Sequence, residues 1–351
     1  MTDAYIVGAV RSAGGKKNGR LSKIHPIDLG AEVVDALVAK TGVAVSEIDD
    51  LIFGCVSQVG AQSSNIARNI CLSSVLGEVV PGTTVDRQCG SGQQAMHFAA
   101  QGVLSGTQDL VIAGGVESMS QVPIGANIID GYKAEHGLPY GKKMSERYPG
   151  VQFNQFAGAE MLAHKYELTQ NELNAFAFDS HVKAKRAVLE GRFKDEIVAI
   201  QIELEDGTTE SHEQDEGIRM DATLGAIAGL QPLQENGLLS AANASQICDG
   251  AAAVMIANGA TCRRLGLKPL ARIIAMSVIG SDPVIMLEGP IPATKKVLEK
   301  ANLSVDDIDL FEVNEAFGSV PLAWVKALGA DISKLNVNGG AQALGHPLGG
   351  T

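Results

Sequence analysis

No apolar run among the 351 residues is long enough to span a membrane. The N-terminus, MTDAYIVGAV, has no basic stretch ahead of its apolar residues, so no signal peptide is read there. Cysteine is scarce. The five cysteines are odd in number and lack metal-ligand spacing, which argues against a disulfide framework or a zinc site. A reducing, cytoplasmic setting is the expectation. Positive charge is also short. Lys and Arg number 28 against 40 acidic residues, a formal net charge of −12, which argues against general nucleic-acid binding. An anionic ligand would therefore need a local basic patch.

What is present is an alternating α/β pattern, with 45% hydrophobic residues and 40 glycines. YIVGAV, DLIFGC, TTV, DLVIAGG, AVMIA, ARIIAMSV, DLFEV and KLNVNGG read as strands. Amphipathic stretches such as 28–40 and 292–300 read as helices between them. Such alternation predicts buried, largely parallel sheets covered by helices. An internal repeat supports two related α/β halves. KTGVAVSEID (40–49) and KANLSVDDID (300–309) align without gaps, each between a helix and a strand. Residues 120 to 243 differ. They are loop-rich, with one clear helix expected over 171–190, ended by Gly191. They read as an insertion that covers a site. By the repeat, Gly349–Gly350–Thr351 matches the opening of the helix after Cys89, and the expectation from comparing the repeats is that a counterpart of roughly 30 residues is absent from the second half.

Three clusters stand at expected strand ends, where open α/β sheets place their sites. The first is TVDRQCGSGQQA (84–95). It places Cys89 at a strand-to-helix turn, where a helix N-terminus favours a thiolate. Gly90, Ser91 and Gly92 leave room for close approach to the backbone. The other cysteines, Cys55, Cys71, Cys248 and Cys262, lie among apolar or small residues and read as packing. The second cluster is EVNEAF (312–317), where Asn314 follows a strand and could serve only as a helix cap. The third is NVNGGAQALGHPLGGT (336–351), which has neither P-loop nor dinucleotide spacing and holds His346 in a turn. A lone loop histidine is usually solvated. A cysteine at an equivalent strand end makes it a candidate base.

Together TVDRQCGSGQQA, NASQICDGAAAV (243–254), VNEAF and NVNGGAQALGHPLGGT resemble the thiolase family, in order and over essentially the whole chain. The resemblance implies two similar βαβαβαββ halves in a layered αβαβα arrangement with a loop domain. The C-terminal half would be incomplete in this chain. The implied division is 1–119, completed by about 244–270, as the N-terminal half, 120–243 as the loop domain, and 271–351 as the C-terminal half. It implies acyl transfer between coenzyme A thioesters in fatty-acid metabolism, and a homodimer or homotetramer. Cys89 would be the acylated nucleophile and His346 its activating base. Asn314 would orient a water that helps His346 stabilise an enolate oxygen. Coenzyme A contacts would fall at Arg219, Ala241, Ser245, Ala316 and Phe317, with Lys142, Lys143 or Arg147 as further candidates for its phosphates. No metal or redox cofactor is called for; coenzyme A and acyl-CoA enter as substrates.

Three departures stand out. Gln342 takes a position that is usually aliphatic in the family. The loop domain reads FNQFAGAE (153–160) where short-chain members carry a His-Met pair, which allows a wider acyl pocket. The family's second catalytic cysteine would lie beyond Thr351. Two other readings stay open on the sequence: a condensing enzyme of the ketoacyl-synthase type, against which VNEAF and GHPLGG speak, and a catalytically dead coenzyme A-binding protein.

Overall fold

The computed structural model describes residues 3–204 and 206–351. Its N-terminal part is a mixed sheet. The strands are β1 (Ala4–Ser12), β2 (Asp50–Gly54), β3 (Gly82–Val85), β4 (Leu110–Ser118) and β5 (Cys248–Asn258). Between them run α1 (Pro26–Thr41), α2 (Ile66–Ser73) and α3 (Ser91–Ser105). Across the sheet the order is β1, β5, β4, β2, β3. β2 pairs in parallel with both β3 and β4, while β5 runs antiparallel between β1 and β4. The carboxyl ends of β1, β2, β3 and β4 therefore share one edge with the start of β5.

Strand side chains alternate between faces, and both faces are buried. Leu51, Phe53, Leu110, Ile112 and Met255 pack under α1 and α2. Ile52, Val111, Ala113 and Ile256 pack against α3 through Ala95, Ala99, Ala100 and Val103. Those alanines let α3 lie close to the sheet. Pro26 starts α1 with its φ already fixed, and Gly42, at φ +65°, ends it in the left-handed conformation.

The repeat read at 40–49 and 300–309 is visible in the backbone. A helix over Pro290–Ala301 ends at Asn302, which takes the left-handed conformation (φ 54°) that Gly42 takes in the first copy. The strands expected in that region do not form as read. Of ARIIAMSV only Ala271–Arg272 pairs, antiparallel to β1. DLFEV and KLNVNGG lie side by side but share one isolated bridge, Phe311 with Leu335. Some of their backbone groups turn to side chains instead, Leu335 O and Val337 O accepting from Lys183 and Arg186.

Residues 120–243 hold more helix than expected. The expected helix is present as Gln170–Leu189, opened by a capping box of Thr169 with Glu172. A second, Gln155–Lys165, was not read from the sequence. Asn154 caps it, accepting from the Phe156 and Ala157 N–H groups. Both helices join a second core that includes Phe311, Phe317, Trp324 and Leu335. Among the described residues, no helix is long and apolar enough to cross a membrane.

Candidate active site

A cavity of about 520 Å³ lies at the shared sheet edge. Cys89 reaches it from the turn after β3, Arg11 and Ser12 from the end of β1, and Gly250 from the start of β5. Asn314, Ala316 and the loop 339–351, with His346, close the other side. Gln155 and Asp215 complete it from the segment 120–243. The three clusters read from the sequence thus meet on one cavity.

The Cys89 turn is tightly built. Gln88 sits at φ 49°, an uncommon conformation for a residue with a side chain, costing about 1–3 kcal/mol. Ser91 fixes this bend, its hydroxyl donating to Gln88 O (2.6 Å) and accepting from Arg87 N–H (2.8 Å). Cys89 is the one cysteine of the five that is not buried. The expectation of a ready thiolate is not met. Burial is the largest influence on the Cys89 thiol and raises its pKa above the ordinary value, with Glu117 and Asp86 adding to it. Only the backbone N–H of Cys89 itself opposes them. Part of the reason lies in the helix start, where Ser91 N–H already donates to Gln88 O rather than toward the sulfur. The thiol must therefore pass its proton to a base.

His346 can take it. The ring is 1% exposed, and burial pushes its pKa down to about 4, so it is neutral at physiological pH. Its tautomer follows from the neighbours. Asn314 Oδ1 accepts Ala316 N–H (2.7 Å), which turns the Asn314 amide toward His346 Nε2 (3.3 Å). Nε2 is thus the acceptor, and Nδ1 carries the proton, donated to Thr351 Oγ1 (2.5 Å).

The loop that carries His346 is threaded into a glycine cradle. A methyl carbon on Gly115 would overlap Gly349 O outright, and one on Gly92 would sit 2.7 Å from Thr351 O. One on Gly14 would sit 2.7 Å from Leu344 O, and one on Gly217 2.6 Å from Ala343 O. Gly345 itself needs its φ of +90°. Buried polar side chains complete the seat. Glu315 accepts from Ser180 Oγ (2.7 Å), Asn336 Nδ2 (2.7 Å) and Gln342 N–H (3.2 Å). Arg11 forms a bidentate pair with Asp215 (2.7 and 3.0 Å), which also accepts Gly14 N–H.

The other sequence candidates divide. Ala316 lines the cavity. Ser245 and Phe317 stand just behind it: Ser245 N–H donates to Ala316 O (2.9 Å), and Phe317 bridges Ala244. Ala241 and Arg219 are exposed and do not line the cavity; Arg219 N–H donates to His181 Nδ1 (3.2 Å). Lys142, Lys143 and Arg147 lie on a short exposed helix, Lys142–Arg147, also off the cavity. Gln342 is buried, with Nε2 donating to Asn243 O (3.0 Å) and Oε1 unpartnered. Thr351, Glu117 and the Arg11–Asp215 pair were not singled out from the sequence. Nothing local marks them, because each matters only through partners far along the chain.

Comparison with known proteins decides the family. Residues 4–260 match the family description "Thiolase, N-terminal domain", and residues 267–351 match "Thiolase, C-terminal domain". The chain belongs to the thiolase family. It is thus an acyltransferase enzyme by kind. The steroid 3-ketoacyl-CoA thiolase FadA6 of Mycobacterium tuberculosis is 46% identical over 353 residues, covering 100% of this chain and 85% of that protein. A 3-ketoacyl-CoA thiolase of Acinetobacter baumannii is 42% identical over 354 residues, covering 99% of this chain and 88% of that one. The crystal structure of the Bacillus anthracis acetyl-CoA acetyltransferase superposes with a TM-score of 0.91 at 37% identity, covering 100% of this chain and 89% of that chain.

Proposed function

We propose that this thiolase makes or cleaves 3-ketoacyl-CoA thioesters through an acyl intermediate on Cys89, with His346 as base and Asn314 beside it. The observation that carries this is the meeting of a protonated thiol, a neutral imidazole with an unprotonated Nε2, and the Asn314 amide beside that nitrogen on one cavity. In cleavage, the Cys89 proton passes to His346 Nε2 and the sulfur attacks the keto carbon. The bond from that carbon to the α-carbon breaks, and its electrons form the enolate of the departing acetyl thioester. His346, now protonated, and a water oriented by Asn314 donate to the enolate oxygen, and the proton taken from Cys89 ends on the α-carbon, which releases the acetyl thioester and leaves His346 neutral again. Donors aimed at such a developing charge are worth roughly 10²–10³-fold each. The thiol of coenzyme A then gives its proton to neutral His346 and attacks the acyl-Cys89 thioester; the carbon–sulfur bond to Cys89 breaks, acyl-CoA leaves, and His346 returns the proton to the Cys89 sulfur. The two thioesters are similar in reactivity, so neither step is a deep trap.

The segment 120–243 serves as the loop domain over the site, which Gln155 and Asp215 support by lining the cavity. The halves are 1–119 with about 244–270, and 271–351. Coenzyme A runs out past Ala316, Ser245, Phe317 and Ala241 toward Arg219, whose exposed guanidinium suits a phosphate. The protein works as a homodimer or homotetramer in the cytoplasm, as the family resemblance suggests. The test is thiolysis of acetoacetyl-CoA and of a longer 3-ketoacyl-CoA by the full-length protein and by Cys89→Ser. Turnover that survives Cys89→Ser overturns the reading. Arg219→Ala is expected to raise KM for coenzyme A with little change in kcat. An unchanged KM would remove Arg219 from the site.

A further inference from the structure

Glu117, next to last in β4, is fully buried. Its carboxylate is saturated by neutral donors from three parts of the chain. Oε2 accepts Val56 N–H (2.9 Å) and Gly349 N–H (2.9 Å). Oε1 accepts Ser57 N–H (3.0 Å) and Gln62 Nε2 (2.8 Å). Gln62 is held in turn by Ser118 N–H, which donates to its Oε1 (2.6 Å). Burial is the largest influence on Glu117 and raises its pKa above the ordinary value, while the four donors, with no acceptor among them, oppose it and favour the ionised form. The turn Val56–Ser57 continues from Cys55, whose N–H donates to Val85 O at the end of β3. Three residues further along that strand's exit, in the same chain direction, comes the bend that presents Cys89. Gly349 lies three residues after His346 and two before Thr351, the partner of His346 Nδ1.

We propose that Glu117 is a positioning residue of the thiolase reaction, clamping the backbone of the His346 loop to the strand ends beside the Cys89 turn and so setting imidazole against thiol. The proposal rests on the reading of Cys89 as nucleophile and His346 as base. The charged groups bearing on Cys89 are Glu117 from β4 and Asp86 from its own turn, with neutral His346 across the cavity. Both carboxylates disfavour a free thiolate. Burial is the larger influence on the thiol, and the two carboxylates add to it.

The test uses the full-length protein with Glu117→Gln and Glu117→Asp. Three quantities are read: the rate at which acetyl-CoA acylates Cys89, the pH midpoint of Cys89 alkylation by iodoacetamide, and the melting temperature. Glutamine sets an amide NH₂ against two of the four donors and removes the charge. Its acylation rate is expected to fall roughly 10²-fold, the usual cost of about 1 Å of misplacement, and its alkylation midpoint to move to lower pH. Aspartate keeps the charge but falls a methylene short of Gly349. Its rate falls while its midpoint stays with the wild type. A wild-type acylation rate in either folded variant overturns the proposal. So does a Glu117→Gln protein whose rate falls only as its folded fraction falls, with an unmoved midpoint, since that is a merely structural role. If Glu117→Gln is not obtained folded, Glu117→Asp decides on the same rate and midpoint. Failure of the underlying reading shows separately, as wild-type acylation or alkylation that maps away from Cys89.

Discussion

The two sides of the cavity are held in place by different physics. On one side β2, β4 and β5 stand in continuous ladders, from Asp50 with Val111 to Gly54 with Gly115, and from Leu110 with Ala257 to Ser118 with Asp249. On the other side residues 335–351 have almost no ladder, only isolated bridges such as Phe311 with Leu335 and Val337 with Gly339. That side is seated by contact and by buried carboxylates: the glycines at the strand ends receive its backbone, and Glu117 and Glu315 collect its N–H groups. Cys89 thus comes from the ladder side and His346 from the seated side. A ladder tolerates the loss of one side chain because its bonds are backbone bonds. A seat depends on a few side chains, or on their absence at glycine.

That contrast can be broken most severely at Gly115. Gly115→Ala puts a methyl carbon into Gly349 O and within 2.7 Å of the carbonyl oxygen of Gly54, its partner on β2. We expect a loss of about 3 kcal/mol or more in urea unfolding, and no acylation of Cys89. Near-native stability with full acylation would show that the loop does not need this seat. Glu315→Gln comes next. It sets an amide NH₂ among donors from Ser180, Asn336 and Gln342, in a group only 1% exposed, and should cost about 2–3 kcal/mol. The same substitution at exposed Glu203, in a short two-stranded sheet, should cost about 0.5 kcal/mol or less.

Acid sharpens the contrast more gently. Burial lowers His346 and His181 from 6.5 to about 4 in the folded chain, so between those values the unfolded chain binds more protons. Their contributions to stability are constant above about 6.5 and decline as pH falls toward 4. The melting temperature of the wild type should therefore fall relative to His181→Gln as pH is lowered through this window. A gap that stays constant would contradict the burial assigned to His181. The smallest effect is expected at Gln342→Leu. Its Oε1 has no partner, and Asn243 O keeps Gly318 N–H (2.7 Å) after the amide is lost, so the change should stay within about 1 kcal/mol of neutral. A larger loss would mean that this side-chain bond helps hold the seat.

The strands and helices of the ladder side were legible in the sequence, but not all of their pairing: a largely parallel sheet was expected, and β5 runs antiparallel to both neighbours. The strands of that side are apolar on both faces, and its helices end at Gly42 and Gly106, both in the left-handed conformation. The site motifs were legible too, because Cys89, Asn314 and His346 each lie in a short run of distinctive residues. Less could be read of the seated side. DLFEV has the composition of a strand, but a strand exists only with its neighbours, and composition does not report them. FAGAEMLAHK went unread as a helix although Asn154 stood before it as a cap. Glu117 looked like any acid after an apolar run. Only the fold brings it the N–H groups of Val56, Ser57 and Gly349. Likewise the thiol's raised pKa could not be foreseen from a helix N-terminus alone, since burial outweighs that dipole here.

The central claim is that Cys89 is acylated with His346 as its base. The most direct measurement is to incubate the full-length protein with acetyl-CoA, map the acetyl group by peptide mass spectrometry, and repeat with His346→Ala. The account predicts acetyl on Cys89, with Cys55, Cys71, Cys248 and Cys262 unmodified, and acylation slowed by roughly 10²–10⁴-fold in a folded His346→Ala. Acetyl on a different cysteine, or undiminished acylation without the imidazole, would contradict it.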